Sequence, residues 1–153
     1  MHGKGSVRLF MADKTGKPWM GVGETDDPTA VILTFETAAA ITKGDPVYLS
    51  ADDKVSPATS AQDCIGIALK SVSAGDPCPV LVRGRVKVRV GGAVSRGKAV
   101  YGADSSKRVL QLTDQAVNEG GTATYTIYYN RKLGWALESA SAADDIIFIY
   151  VDK

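Results

Sequence analysis

A glycine-rich stretch that ends in a lysine has the spacing of a phosphate-binding loop. The stretch is Gly92-Ala93-Val94-Ser95-Arg96-Gly97-Lys98. Such a loop also needs a hydroxyl side chain after the lysine, to hold magnesium, and a helix whose amino terminus faces the phosphates. Here Ala99 follows, and then the strand-like pair Val100-Tyr101. We therefore expect a turn at this position and no nucleotide site.

Side chains for acid–base or nucleophilic catalysis are scarce. The sequence has one histidine, His2, so any Ser-His-Asp or Cys-His arrangement would have to use it. Three pairs of neighbouring carboxylates occur in predicted turns, where aspartates usually cap backbone amides: Asp26-Asp27, Asp52-Asp53 and Asp144-Asp145. No loop has the spaced oxygen ligands of a calcium site. We expect no enzyme activity, no cofactor and no metal ion.

The two cysteines, Cys64 and Cys78, are not spaced like metal ligands. They flank a predicted hairpin whose turn is Ser73-Ala74-Gly75-Asp76. Pairing across that turn sets Cys78 opposite a residue near Lys70, so the two sulfurs lie too far apart to form a disulfide. We expect two reduced, half-buried thiols.

The charges nearly cancel, with 18 basic and 17 acidic residues and a formal net charge of +1. This balance gives no general argument for binding nucleic acid or an anionic membrane. No apolar run approaches the roughly 20 residues that span a bilayer. Met1–Ser6 lack the apolar stretch of a secretory signal, so we expect synthesis in a cytoplasm.

The clearest charge pattern lies within Val82–Val90, where apolar or small residues alternate with four cations, Arg83, Arg85, Lys87 and Arg89. Such alternation predicts a half-buried strand. Its basic face is either solvated, and so protects a sheet edge from aggregation, or contacts an acidic partner surface. No aromatic residues interleave with the cations to stack bases, so we expect no direct contact with nucleic acid.

The chain reads as all-β. Its clearest strands are the β-branched runs Val31–Phe35, Pro79–Val82 and Ile146–Val151. No segment sustains the apolar stripe of a helix. Between the strands, glycine and small polar residues mark turns.

An internal repeat organises most of the sequence. Ile41–Tyr48 matches Val94–Tyr101 at an offset of 53, and Gly66–Asp76 matches Gly134–Asp144 at an offset of 68. In each copy a turn feeds a strand, and a Gly-x-Ala-Leu strand follows whose small residues let a neighbouring strand approach closely. We predict a small β-barrel or sandwich, a single domain over residues 36–153 built from two diverged repeats, about 41–90 and 94–153.

Two segments lie outside this scheme. The offset grows from 53 to 68 because the second copy carries an insertion, which predicts a projecting hairpin near residues 109–131. Its tyrosines, Tyr125, Tyr128 and Tyr129, either cover the core or contact a partner. Residues 1–35, which include Trp19, are either an N-terminal arm that packs on a neighbour or extra strands that complete the barrel.

The repeated blocks resemble the small capsid cement, or head decoration, proteins of tailed bacteriophages. The shared pattern is a turn such as Lys43-Gly44-Asp45-Pro46-Val47, a strand such as Gly66-Ile67-Ala68-Leu69, and a Gly-Asp turn before a strand such as Pro79–Gly84. The resemblance covers about residues 36–153. The second copy departs from it, since Ala143-Asp144 replaces the Gly-Asp turn.

The resemblance implies a structural protein that is made in the host cytoplasm and binds the outer surface of the capsid. Its partner would be the major capsid protein, and it would form a homo-oligomer, with a trimer favoured and a dimer possible. Candidate contact residues for the capsid or for other subunits are Trp19, Arg83, Arg85, Lys87, Arg89, Tyr125, Tyr128 and Tyr129. The alternative is a binding module for carbohydrate or a host surface, displayed on the virion, with Trp135 and the three tyrosines as its aromatic platform.

Overall fold

The computed structural model describes residues 20–113 and 129–153, with only the backbone described at Tyr129. These residues form strands and one short 3-10 helix, Tyr129–Arg131. The nine strands are β1 (Val31–Thr37), β2 (Pro46–Ala51), β3 (Lys54–Pro57), β4 (Cys64–Ala68), β5 (Pro77–Arg89), β6 (Ala99–Gly102), β7 (Val109–Gln111), β8 (Gly134–Ala136) and β9 (Ile146–Asp152). The predicted all-β class is confirmed. The described part of the chain contains no helix with the length and apolar character that crossing a bilayer requires.

The first five strands close into a barrel in the order β1-β3-β2-β4-β5, because β1 also pairs with β5. The closing pair is antiparallel, from Val31 opposite Arg83 to Glu36 opposite Pro77. β1 meets β3 in parallel only at its carboxyl end. The small core of this barrel consists of Ile41, Val47, Val55, Ala68, Cys78 and Val80.

The remaining strands continue the sheet in the order β5-β9-β8-β6-β7. A parallel bridge between Val90 and Val109 brings β7 back to the end of β5, so these strands form a second ring. Val86, Val88, Ile147 and Ile149 belong to its larger core and are fully buried. The described residues therefore form two rings that share one strand.

β5 is that shared strand. Its first half pairs with β1 and β4, and its second half pairs with β9, from Arg83 opposite Asp152 to Arg89 opposite Ile146. Gly84 lies between the two halves at φ 129°, and a Cβ there would come within 2.9 Å of the Cβ of Ala30. Glycine therefore suits this crossing for both its backbone angle and its lack of a side chain.

Corresponding turns in the two rings use the same hydrogen bonds. The Gly44 amide donates to the carbonyl of Ala68 at 2.8 Å, and the Gly97 amide donates to the carbonyl of Ala136 at 2.7 Å. Both glycines have positive φ, 93° and 83°. The stretch that resembles a phosphate-binding loop is therefore a turn leading into β6, as predicted. These paired bonds support the proposal that the chain contains two diverged copies of one unit.

The turns that precede β5 and β9 also correspond, but in a register that differs by one residue from the predicted one. The Gly75 amide donates to the carbonyl of Thr37 at 2.9 Å, and the Asp144 amide donates to the carbonyl of Val90 at 2.8 Å. Gly75 and Asp144 also share positive φ, 89° and 69°. Equating Asp76 with Asp144 was therefore wrong by one residue, because the turn in the second copy is one residue longer and the identical aspartates are not equivalent.

The two segments outside the repeat are described only in part. Residues 1–19 and 114–128 lie outside the described residues, and with them most of the predicted hairpin. The start of that hairpin was misplaced, because Val109–Gln111 form β7 and pair with β6. Of the two alternatives for residues 1–35, an extra strand is what the described part contains, since β1 begins at Val31 and closes the first barrel.

Cys64 and Cys78 are free thiols, as predicted, and both are fully buried instead of half-buried. The Cys78 thiol donates to the carbonyl of Lys70 at 3.6 Å, which is the neighbour that the hairpin predicted. Burial raises the pKa of the Cys64 thiol to about 12, and burial also raises the pKa of Cys78. Burial therefore disfavours the reactive thiolate form of both groups.

Glycine is required where two strands of a ring come closest. A Cβ on Gly134 would lie 1.9 Å from the carbonyl oxygen of Tyr150, and a Cβ on Gly66 would lie 2.2 Å from that of Leu81. The neighbouring atom is backbone in both cases, so it cannot rotate away. We expect Gly134→Ala to lower the free energy of unfolding by at least about 1–3 kcal/mol, the usual cost of overpacking.

Urea denaturation followed by tryptophan fluorescence measures this change. Gly92→Ala is the matched control, because a Cβ there meets nothing within 4 Å and its φ is not positive. Equal midpoints for the two variants would show that β8 and β9 do not approach each other as described.

Burial of the thiols predicts their reactivity. At about pH 9, where an ordinary exposed thiol is largely ionised, the native protein should react with a disulfide reagent far more slowly than the same protein in urea. Two thiols should react per unfolded chain. Rapid labelling of the native protein would contradict the burial of Cys64 and Cys78.

Candidate functional site

The basic side chains of β5 do not form one solvated face. Arg83 and Arg89 are exposed, Arg85 is partly buried, and Lys87 is fully buried, with an exposure of 0%. The prediction of a continuous basic surface was therefore wrong for Lys87 and in part for Arg85. The reason is that other parts of the chain cover the middle of the strand.

Residues 21–27, which we name the cover segment, lie along the outer edge of β5. The amide of Gly23 donates to the carbonyl of Lys87 at 2.8 Å, and the amide of Lys87 donates to the carbonyl of Glu24 at 3.0 Å. The hydroxyl of Thr25 donates to the carbonyl of Arg85. The amide of Arg85 donates to the carboxylate of Asp27 at 3.2 Å. The second half of β5 is thus bonded on both edges, by β9 and by the cover segment.

The buried charge of Lys87 is compensated by groups from the second ring. Its Nζ lies 3.8 Å from a carboxylate oxygen of Glu138 and 4.5 Å from the centre of the Phe148 ring. Glu138 is held in place because it also accepts the amide hydrogen of Phe148, at 2.7 Å. The ion pair and the aromatic face both offset the cost of removing this cation from water. Lys87 is a structural residue.

Arg85 lies over the same ring. Its guanidinium carbon is 4.2 Å from the centre of Phe148, and its Nε is 3.3 Å from a carboxylate oxygen of Asp26. The Nε–Asp26 contact has an ion-pair distance but lacks hydrogen-bond alignment. Arg85 therefore attaches the cover segment to β9, and only its remaining exposed part can contact another molecule.

Two cations of β5 remain on the surface. Arg83 forms an exposed ion pair with Asp152 at 3.2 Å. Such exposed pairs contribute little to stability and separate readily. Arg89 is exposed, and within residues 20–113 and 129–153 it forms no ion pair. Arg89 is therefore the cation of this strand that is most available to an acidic partner.

Most of the aromatic candidates lie outside the described residues. Trp19, Tyr125 and Tyr128 lie outside the described residues, and Tyr129 is described only as the backbone start of the 3-10 helix. Trp135 on β8 is 39% exposed and lies against Tyr150 of β9, with ring centres 5.7 Å apart.

An exposed apolar surface on β1 was missed from the sequence. Val31, Ile32 and Leu33 are 44%, 47% and 48% exposed. A continuous apolar run usually predicts a strand that is buried on both faces, so the exposure of these side chains could not be predicted from the sequence. Their exposure follows from the position of β1, which has β5 on one side and reaches β3 only at its end.

The described residues contain no arrangement typical of catalysis or metal binding. No group of three or more histidine, cysteine, aspartate or glutamate side chains in that part of the chain could hold a metal ion. An open cleft of about 530 Å³ lies beside the first barrel, and the residues that line it are Ile41, Lys70, Ser71, Val72, Ser73, Asp76 and Pro77.

The chain was compared with protein families, curated sequences and solved structures. The chain matches a family described as phage cement protein over residues 58–152, which include β4 to β9. Among solved structures it is similar to the N base of head fiber gp8.5 of bacteriophage phi29, with a TM-score of 0.55 and 14% identity over 81% of this chain and 95% of that chain. At that identity the likeness shows the fold. No curated protein sequence matches the chain.

The family match covers more than half of the 153 residues and includes the shared strand and the whole second ring. It confirms the resemblance that the repeated turn and strand motifs indicated. The chain belongs to the phage cement protein family.

Proposed function

We propose that this protein binds the outer surface of an assembled phage capsid and stabilises the head as a cement, or decoration, protein. The match to the cement family over residues 58–152 carries the proposal. Its partner is the major capsid protein, and it is made in the host cytoplasm before it joins the virion. The role is structural, with no catalytic step.

The physical properties of the fold suit this role. A cement protein needs a rigid body and a contact surface that capsid symmetry repeats many times. Two rings joined through β5 provide the rigid body, since the same strand belongs to both. A contact of about 800 Å² per partner is ordinary for protein interfaces. Many weak contacts on one shell, each made at high local concentration, give strong retention.

The proposed contact surface includes the exposed cations of β5. Arg89 is the strongest candidate, because it is exposed and free to pair with a capsid carboxylate. Arg83 is a second candidate if it exchanges its partner Asp152. Trp19, Tyr125, Tyr128 and Tyr129 stay proposed contacts as well. Lys87 is no longer one, because it is internal.

The alternative of a displayed carbohydrate-binding module is not favoured. The family match indicates a capsid protein, and the one aromatic candidate whose side chain is described, Trp135, is partly covered by Tyr150. A flat stacking platform needs several exposed rings in one plane, and the ring planes of this pair are inclined by 33°.

Charge reversal tests the role of Arg89. We expect the wild-type protein to bind undecorated, expanded heads saturably, and we expect Arg89→Glu to weaken binding by about tenfold, which corresponds to about 1.4 kcal/mol. The measurement is co-sedimentation with heads across a salt series, because rising salt should weaken a charged contact. Arg96→Glu, another exposed arginine that changes the net charge equally, is the matched control.

The possible outcomes distinguish the cement function from the role of Arg89 in it. Equal weakening by both variants would indicate a general charge effect, and unchanged binding of Arg89→Glu would remove Arg89 from the contact surface. Failure of the folded wild-type protein to bind heads at any salt concentration would contradict the cement function.

A further inference from the structure

The amino-terminal part of β1 is a free strand edge. We name residues Val31–Phe35 the β1 edge. They pair with β5 on one side only, and β3 reaches β1 no earlier than Glu36. The side chains of Val31, Ile32 and Leu33 are close to half exposed. In the described part of the chain, no strand lies against the other side of these residues.

The backbone groups that face outward can be assigned from β5. Pro79 has no amide hydrogen, and its carbonyl accepts from Leu69, on the side of β4. Alternation along an antiparallel pair then directs the amides and carbonyls of Leu33 and Phe35 towards β5. The amides and carbonyls of Ile32 and Thr34 face away from β5, towards the free edge. They form no hydrogen bond with the described residues.

The β1 edge lacks the features that keep exposed strands apart. Soluble proteins protect such edges with charged residues, prolines or bulges that turn the strand away. Val-Ile-Leu-Thr-Phe contains no charge and no proline. A bulge occurs only at its start, between Val31 and Ile32. This edge is suited to pairing with another strand.

We propose that the β1 edges of two copies of this chain pair antiparallel about a two-fold axis at Leu33. In this register Ile32 of one copy lies opposite Thr34 of the other. Their outward amides and carbonyls form four backbone hydrogen bonds across the axis. Leu33 then faces Leu33 of the second copy, and Val31 faces Phe35, both as non-hydrogen-bonded pairs whose side chains approach closely.

The sequence of the edge favours a second copy as the occupant. A two-fold register pairs each residue with one that suits it: leucine with leucine, valine with an aromatic ring, and isoleucine with a β-branched threonine. No like charges meet, since Glu36 falls opposite the small residue Ala30 and has Lys54 beside it at 3.5 Å. A two-fold contact closes with two chains, so this edge makes a dimer. The dimer does not depend on binding to the capsid.

The mass of the purified full-length protein in solution tests the proposal. Light scattering during size-exclusion chromatography should give twice 16.1 kDa for the wild type. Leu33→Lys places two like charges opposite each other at the axis, so its mass should fall to that of one chain. Leu49→Lys is the matched control, because Leu49 on β2 is 49% exposed and lies off the edge. It should remain a dimer.

A cysteine at the axis tests the register. Two residues in a non-hydrogen-bonded pair have Cα atoms about 4.5 Å apart, which a disulfide can span. With oxidised glutathione as the oxidant, Leu33→Cys should therefore form a covalent dimer, and Leu49→Cys should not. The native thiols of Cys64 and Cys78 are buried and do not compete.

Each other outcome overturns the proposal. A wild-type dimer or trimer that Leu33→Lys leaves intact would place the contact on another surface. A wild-type monomer whose Leu33→Cys thiol is protected from alkylation would show that another part of this chain covers the edge. If the wild type is a monomer and Leu33→Lys abolishes head binding, the edge contacts the capsid and not a second copy. If the wild type is a monomer and Leu33→Lys still binds heads, the dimer is ruled out and the cement function is retained.

Discussion

The structure depends on the backbone hydrogen bonds along both edges of β5. This strand pairs with β1 and the cover segment on one edge and with β4 and β9 on the other. Because its thirteen residues run without a break from the first ring into the second, β5 fixes the two rings to each other. Gly84 and Gly66 allow Ala30 and β4 to approach β5 at places where a Cβ would collide.

The same constraint divides the charges of β5 between structure and surface. In its middle, the cover segment and Phe148 enclose Lys87 and most of Arg85, and Glu138 and Asp26 balance their charges. Beyond the cover, Arg83 and Arg89 reach solvent. A strand that looks uniformly basic thus supplies one buried cation, Lys87, one partly buried cation, Arg85, and two surface cations that are available for binding.

Much of the fold could be predicted from local patterns in the sequence. Alternation identified β5, β-branched runs identified β1 and β9, and the hairpin geometry identified two unpaired thiols. The sequence could not predict that β5 belongs to two rings, because the alternation of residues is the same in a strand that belongs to one ring and in a strand that belongs to two. The burial of Lys87 also depends on residues about sixty positions earlier, and periodicity does not report what lies over a face.

The register of the repeated turns and the exposure of the β1 edge also could not be predicted from the sequence. Aligning identical residues paired Asp76 with Asp144, although backbone geometry pairs Gly75 with Asp144, since a left-handed position accepts both glycine and aspartate. The exposure of the β1 edge was hidden because an uninterrupted apolar run is the usual mark of a buried strand. The sequence could identify basic residues as candidate contacts, but only the fold shows that Arg89 is exposed and Lys87 is buried.

Electron cryo-microscopy of expanded heads, with and without the added protein, tests the central claim most directly. The account predicts added density on the outer surface at positions that repeat with the capsid symmetry, and this density should fit two rings joined through one strand. Density on the inner surface, or no added density at saturating protein, would contradict a cement function for this chain.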